Sequence, residues 1–208
     1  MKKLLIGLGT LIFLLFSFDR SVSAVRLPQA GGEKLSVIRL PMPKEKSDKS
    51  YLGLGGSGFF KLNQVKANTL IIKVFNLYCP VCQSTALAMT ELYHHIEDQP
   101  ELKDKIKLIG IGVGNSVREM EAFKETYHIP FPLFPDENFT IYKMLGEIRI
   151  PYFIALKFDS KRSHQVVETH LGGFSEGGSL LEWILGAYHG DEGSSIEKGS
   201  YRPEYLDR

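Results

Sequence analysis

Cys79 and Cys82 are the only cysteines in the chain, and they stand three positions apart as Cys79-Pro80-Val81-Cys82. Two thiols at that spacing can form and break a disulfide without moving the backbone far. A disulfide is opened by a thiolate rather than a thiol. A free cysteine, with a pKa of about 8.5, is only ~3% ionised at neutral pH, so a reactive one needs help. The unpaired N–H groups and partial positive charge of a helix N-terminus supply it. An apolar run over residues 69–75 precedes the pair and a helical pattern follows at once, so the cysteines fall at a strand-to-helix junction. Pro80 suits the first helical position, which needs no N–H bond. The expected division of labour makes Cys79, at the helix start, the attacking group. Cys82, one turn in and partly covered, resolves the mixed disulfide.

Cys-x-x-Cys is also half of a zinc site, but a structural zinc takes four ligands. There is no third cysteine, and His94, His95, His128, His164, His170 and His189 are scattered. No metal and no cofactor is expected. Nor is a mere staple: a loop this small gains little from closure. Gly53, Gly55 and Gly58 satisfy G-x-G-x-x-G without the strand and helix that a dinucleotide site requires. The glycines at 110, 112 and 114 end a strand, but Asn115 breaks the pattern.

The elements that must position the pair follow from periodicity. Residues 69–76 and 106–113 read as strands buried on both faces, the first interrupted by Lys73. Thr85, Met89, Leu92 and Ile96 define one face of the helix after Cys79, which runs to about residue 98. Ser116-Val117-Arg118-Glu119 is a capping box that starts a second helix, with Val117, Met120, Phe123 and Tyr127 on one side. Residues 131–135 form a short extended segment, and Asp136 caps a brief helix ending at Gly146. Residues 151–158 and 165–171 pair as a hairpin around a turn at 159–164. A last helix turns Leu180, Leu181, Ile184 and Tyr188 inward, flanked by Trp183. Strands alternating with helices, then a hairpin and a helix, make an α/β fold with a mixed sheet and helices on both faces.

The chain has 208 residues, 43% hydrophobic and 24% charged, with a net charge of +1. One domain with extensions is expected, and no nucleic-acid partner, which would need a basic face. Lys2 and Lys3, the apolar run 4–18 and Ser21-Val22-Ser23-Ala24 form a signal-peptide pattern, with cleavage expected after Ala24. An uncleaved anchor is the competing reading. Either way the chain is exported, as to a bacterial periplasm, where a disulfide can persist. The expected division is 1–24 signal peptide or anchor, 25–50 linker, 51–188 folded domain and 189–208 flexible tail. Prolines 28, 41 and 43 and the charged run 44–50 suggest the linker.

The strand–Cys79-Pro80-Val81-Cys82–helix unit, with Arg149-Ile150-Pro151-Tyr152-Phe153-Ile154 before the hairpin, resembles the thioredoxin-like superfamily. The nearest match is its exported TlpA-like or redoxin group, and the likeness covers residues 54–187. It implies a thioredoxin-like fold: a central mixed sheet flanked by helices, with an inserted helix between the second and third core strands. It implies a cis Ile150–Pro151 bond packed against the cysteines. It also implies a thiol–disulfide oxidoreductase acting on protein thiols or disulfides, with a membrane or soluble thiol partner as electron donor or acceptor. Tyr78, Pro80, Val81, Ile150 and Pro151 would then form a flat surface for the partner peptide, and reduction of exported proteins such as apocytochromes is the implied direction. Two residues depart from the family. Tyr78 stands where Trp is usual. Lys73 stands where thioredoxin has a buried acid and TlpA-like proteins often have Asn. Lys73 reads either as a strand residue snorkelling to water with its stem buried or as an ammonium that favours the thiolate. Glu147 is a candidate substitute for the acid. The rival readings are a peroxiredoxin, which would need Pro and Thr where Ile72 and Asn76 stand, and a binding protein with an idle disulfide.

Overall fold

Runs such as Thr69–Phe75 and Ile106–Val113, buried at every position, can persist only inside a sheet covered on both faces. The computed structural model, which describes residues 32–174 and 179–189, shows how the chain covers them. Its elements are α1 (Gly32–Ser36), β1 (Arg39–Pro41), α2 (Lys46–Leu52), β2 (Phe59–Lys61), β3 (Thr69–Phe75), α3 (Pro80–Glu97), α4 (Pro100–Lys103), β4 (Ile106–Val113), α5 (Val117–Thr126), β5 (Leu133–Asp136), α6 (Thr140–Met144), β6 (Tyr152–Phe158), β7 (His164–Leu171) and α7 (Leu180–His189). A five-stranded sheet runs in the order β5-β4-β3-β6-β7. β3 lies parallel to β4 and antiparallel to β6. β6 and β7 form the expected hairpin.

Alternation along β3 splits the interior in two. Ile71 and Phe75 face a core built with Cys82, Met89 and Ile96 of α3, Met120 and Phe123 of α5, and Ile184 and Ala187 of α7. Leu70, Ile72 and Val74 face the other core, shared with Ile141 and Leu145 around α6 and with the N-terminal segment. The inserted helix stands as α5, and its capping box is complete. Ser116 N–H donates to Glu119 Oε2 at 2.7 Å, and Glu119 N–H donates back to Ser116 Oγ at 3.3 Å. Val117, its first residue, is exposed rather than buried with Met120 and Phe123. The 131–135 segment supplies β5, a parallel edge strand on β4. The Asp136 carboxylate caps α6 from that strand, accepting Ile141 N–H at 3.0 Å and Tyr142 N–H at 2.8 Å. The glycines of β4 serve packing: a Cβ on Gly112 would strike the Met120 thioether.

The N-terminal boundary needs correction. Residues 32–50 are not a tether. Leu35, Ile38 and Leu40 are buried in the second core. β1 pairs antiparallel with β2, Leu40 opposite Phe60. The charged run is the polar side of α2, which buries Leu52 and joins Asp48 to Lys124 of α5 at 2.9 Å. Composition misled here because a three-residue strand needs one inward side chain to hold it. The proposed signal segment and most of the tail lie outside the described residues.

Leu40→Ala tests whether this segment belongs to the fold. A buried Leu→Ala change costs about 2–5 kcal/mol, so urea unfolding should show that loss, whereas a tether residue would show almost none.

Candidate functional site

β3 ends at Phe75, and the chain crosses to α3 through residues 76–79. Asn76 shapes that crossing. Its amide donates to Val113 O at 2.7 Å, anchoring it to β4, and its side-chain oxygen accepts Tyr78 N–H at 2.8 Å. Asn115 accepts Leu77 N–H at 3.1 Å, and Gln83 reaches back from α3 to Leu77 O at 2.8 Å. Sequence reasoning passed over these amides. An Asn two residues before the backbone N–H that it binds is the signal that could have revealed Asn76.

The loop delivers Cys79 to the N-cap of α3. Its backbone is extended, and its sulfur accepts Cys82 N–H at 3.3 Å, the place a Ser or Asp oxygen usually fills. Pro80 is the first helical residue. Both cysteines are free thiols, Cys79 partly exposed and Cys82 fully buried. Burial, together with the hydrogen bond to Cys79, pushes the Cys82 thiol up to about 12.

Lys73 corrects the snorkelling reading. It is 3% exposed, and its ammonium points to the cysteines. Nζ donates to Cys82 O at 3.0 Å and lies 5.3 Å from the Phe75 ring centroid. Among the described residues no carboxylate pairs with it. Burial lowers its pKa from 10.5 to about 8, against the opposing pull of Cys82 and Cys79. Glu147 is no substitute for an acid. It is exposed, at a left-handed φ of 54°, and no hydrogen bond among the described residues joins it to the pair.

The Ile150–Pro151 peptide bond is cis. Val74 pairs with Tyr152, so Pro151 lies one step past that rung, at the end of β3 from which the cysteine loop leaves. Pro151 itself is buried, with its carbonyl held by Gly172 N–H at 2.8 Å. Its burial removes it from any exposed surface. Ile150 is half-buried, Pro80 is exposed, and Val81 and Tyr78 are 46% and 68% exposed. Tyr78 O–H donates to Glu119 Oε1 at 2.7 Å, tying the loop to α5. That bond raises the Tyr78 pKa, while the Ser116 backbone N–H, the Tyr78 hydroxyl and the Ser116 hydroxyl lower that of Glu119.

The sequence profile of the AhpC/TSA family matches residues 49–169, more than half the chain. The chain belongs to the AhpC/TSA family. As a member of this redoxin family it is an enzyme of the thiol–disulfide oxidoreductase class. No curated protein matches the sequence. Solved structures match at low identity. A secreted disulfide oxidoreductase of Mycobacterium tuberculosis homologous to E. coli DsbE is 13% identical, with 76% of this chain and 98% of that one covered at a TM-score of 0.51. DsbF of the same organism is also 13% identical, with 74% and 97% covered and a TM-score of 0.53. A thioredoxin-like protein from Aeropyrum pernix is 14% identical, with 76% and 91% covered and a TM-score of 0.51. These likenesses show that this AhpC/TSA family member has a thioredoxin-like fold.

The shifted groups give this redoxin a signed pH dependence. Folded Lys73 holds its proton less tightly than the unfolded chain does, so stability rises as pH climbs from about 8 towards 10.5. Cys82 acts in the opposite sense: its contribution is full below 9.0 and is lost towards about 12. Between pH 8 and 9 Lys73 dominates, and the gain across that unit is at most about 1 kcal/mol. Urea unfolding at the two pH values should show it, and Lys73→Met should flatten it while raising stability at neutral pH.

Proposed function

We propose that this protein is an exported thiol–disulfide oxidoreductase in which Cys79 is the attacking thiol and Cys82 the resolving one. The asymmetry between the two sulfurs carries the reading. Cys79 is reachable from solvent and sits at the N-cap of α3, its sulfur accepting the Cys82 N–H. Cys82 is closed to any macromolecule but lies one helical turn away.

In the reductive direction the Cys79 thiolate attacks one sulfur of a partner's disulfide. The new Cys79–partner bond replaces the partner's own S–S bond, and the leaving sulfur takes a proton from water. Cys82, once deprotonated, attacks Cys79 Sγ. The mixed disulfide breaks, the partner leaves as a dithiol, and the protein is left with a Cys79–Cys82 disulfide. A membrane or soluble thiol donor then returns two electrons. The partner peptide would dock against Tyr78, Pro80, Val81 and Ile150, with Pro151 beneath. Export rests on the basic, apolar and small-residue pattern of residues 1–24, and a secreted disulfide oxidoreductase is among the proteins of similar fold. Exported proteins with cysteine pairs, apocytochromes among them, are the proposed substrates.

Membership of the AhpC/TSA family makes a thiol peroxidase the natural rival. Two observations weigh against it. Ile72, where such a loop would have Pro, is buried in mid-strand. Asn76, where it would have Thr, has its amide and its oxygen taken by Val113 and Tyr78. A binding protein with an idle disulfide would have no need to leave one sulfur half-exposed.

Disulfide reduction of insulin should fall to background in Cys79→Ala. Cys82→Ala should instead accumulate a mixed disulfide with its substrate, visible on a non-reducing gel and dissolved by dithiothreitol. Sustained peroxide consumption by Cys82→Ala would transfer the assignment to the peroxidase.

A further inference from the structure

The resolving step poses a chemical problem. Cys82 must become a thiolate inside the protein, and burial opposes that charge. Among the described residues, what stands beside it is a lysine. Lys73 is buried on the same sheet face as Ile71 and Phe75, against α3, and its Nζ bonds to the carbonyl of Cys82 itself.

The surroundings leave that ammonium few other roles. Lys107, the other buried lysine among the described residues, is neutralised by Glu97 at 3.2 Å. Lys73 has no such partner among the described residues. At its register the flanking strands present Gly110 of β4 and Phe153 of β6, neither charged. α7 contributes Leu180, Ile184 and Ala187 to the shared core, and α5 contributes Met120 and Phe123. His170 of β7 stacks on Phe174 and bonds Gly173 O. Cys79 and Cys82 of α3 are the titratable groups whose charge reaches Lys73. At low dielectric a lone charge beside one group acts strongly on it.

We infer that Lys73 and Cys82 form a proton-sharing pair that activates Cys82 for the resolving attack. The inference rests on the reading of Cys79 as the attacking thiol. Once Cys79 is held in a mixed disulfide, the pair loses one proton to solvent. In the reactive arrangement of what remains, the proton is on Lys73 Nζ as ammonium and Cys82 Sγ is a thiolate. The thiolate electron pair forms the bond to Cys79 Sγ, and the Cys79–partner S–S bond breaks. The departing partner sulfur carries away that electron pair and is protonated from water. The cysteines are thereby oxidised to a disulfide, and the partner is reduced. Lys73 is unchanged overall. It replaces a proton-accepting carboxylate with a group that also counters the thiolate's charge.

Stopped-flow reaction of the reduced protein with the aromatic disulfide dithiobis(nitrobenzoate) separates the steps. Attack by Cys79 releases the first coloured thiolate, and resolution by Cys82 releases the second. A proton-sharing pair titrates as a unit. The second phase should therefore accelerate with pH and level off above about 8, the Lys73 value. In Lys73→Met, Cys82 must lose its proton alone, so that phase should be slower by at least about tenfold near the wild-type plateau. It should then keep climbing towards about 12 without levelling. The first phase, isolated in a Cys82→Ala background, should change far less under Lys73→Met than the second. A second phase unaffected by Lys73→Met, or slowed only in step with the first, overturns the inference. Should Lys73→Met fail to fold, the wild-type profile decides alone: a plateau supports the pair, and an unbroken rise overturns it. Release of its single coloured thiolate by Cys79→Ala as fast as the wild-type first phase would instead overturn the order of attack on which the inference rests.

Discussion

Cys79 Sγ accepts the N–H of Cys82, and much of the molecule exists to hold that contact in place. A sulfur at a helix N-cap gains from the helix only if the chain arrives extended and turns at the right residue. β3, buried on both faces, fixes the direction of arrival. Asn76, Gln83 and Asn115 fix the turn by satisfying the backbone groups that a strand-to-helix crossing would otherwise leave unpaired. Pro80 begins the helix where its missing N–H does no harm.

The same constraint explains the two-sided core. A helix packed on one face of β3 places Cys82 against Ile71, Phe75 and the side chains of α5 and α7. That leaves the second sulfur dry, which sets it apart from the first. It also leaves Lys73 dry. An ammonium in such a place destabilises the fold at neutral pH, because burial disfavours its charged form. Its partners are a carbonyl oxygen, an aromatic ring and two thiols, none of which neutralises it as a carboxylate would.

The N-terminal segment shows where composition fails as a guide. Prolines and a run of alternating charges resemble a tether, yet Leu35, Ile38 and Leu40 are as buried as any residue of β3. The signal was weak because each of the elements is short: two helices of five and seven residues and one strand of three. Their stability comes from packing on the second core, not from local propensity. Val117 shows the converse, a residue on an apolar face of α5 that the fold leaves in solvent.

The sequence by itself determined the chemistry and its frame. Two cysteines at helix-start spacing, strands apolar on both faces, a capping box and a proline at the start of a later strand are local patterns. Each follows from the period of a helix or strand or from the valence of a terminal N–H group. Tertiary structure decided what depends on neighbours distant in the chain. It decided that Pro151 is buried at the end of β3 from which the cysteine loop leaves, that Glu147 faces solvent, and that Tyr78 is tied to Glu119 of α5. Above all it decided the fate of Lys73. A lysine in an apolar strand can bend to water or stay buried, and the choice rests on what covers that face of the sheet. Here α3 covers it and leaves the ammonium at the carbonyl of Cys82.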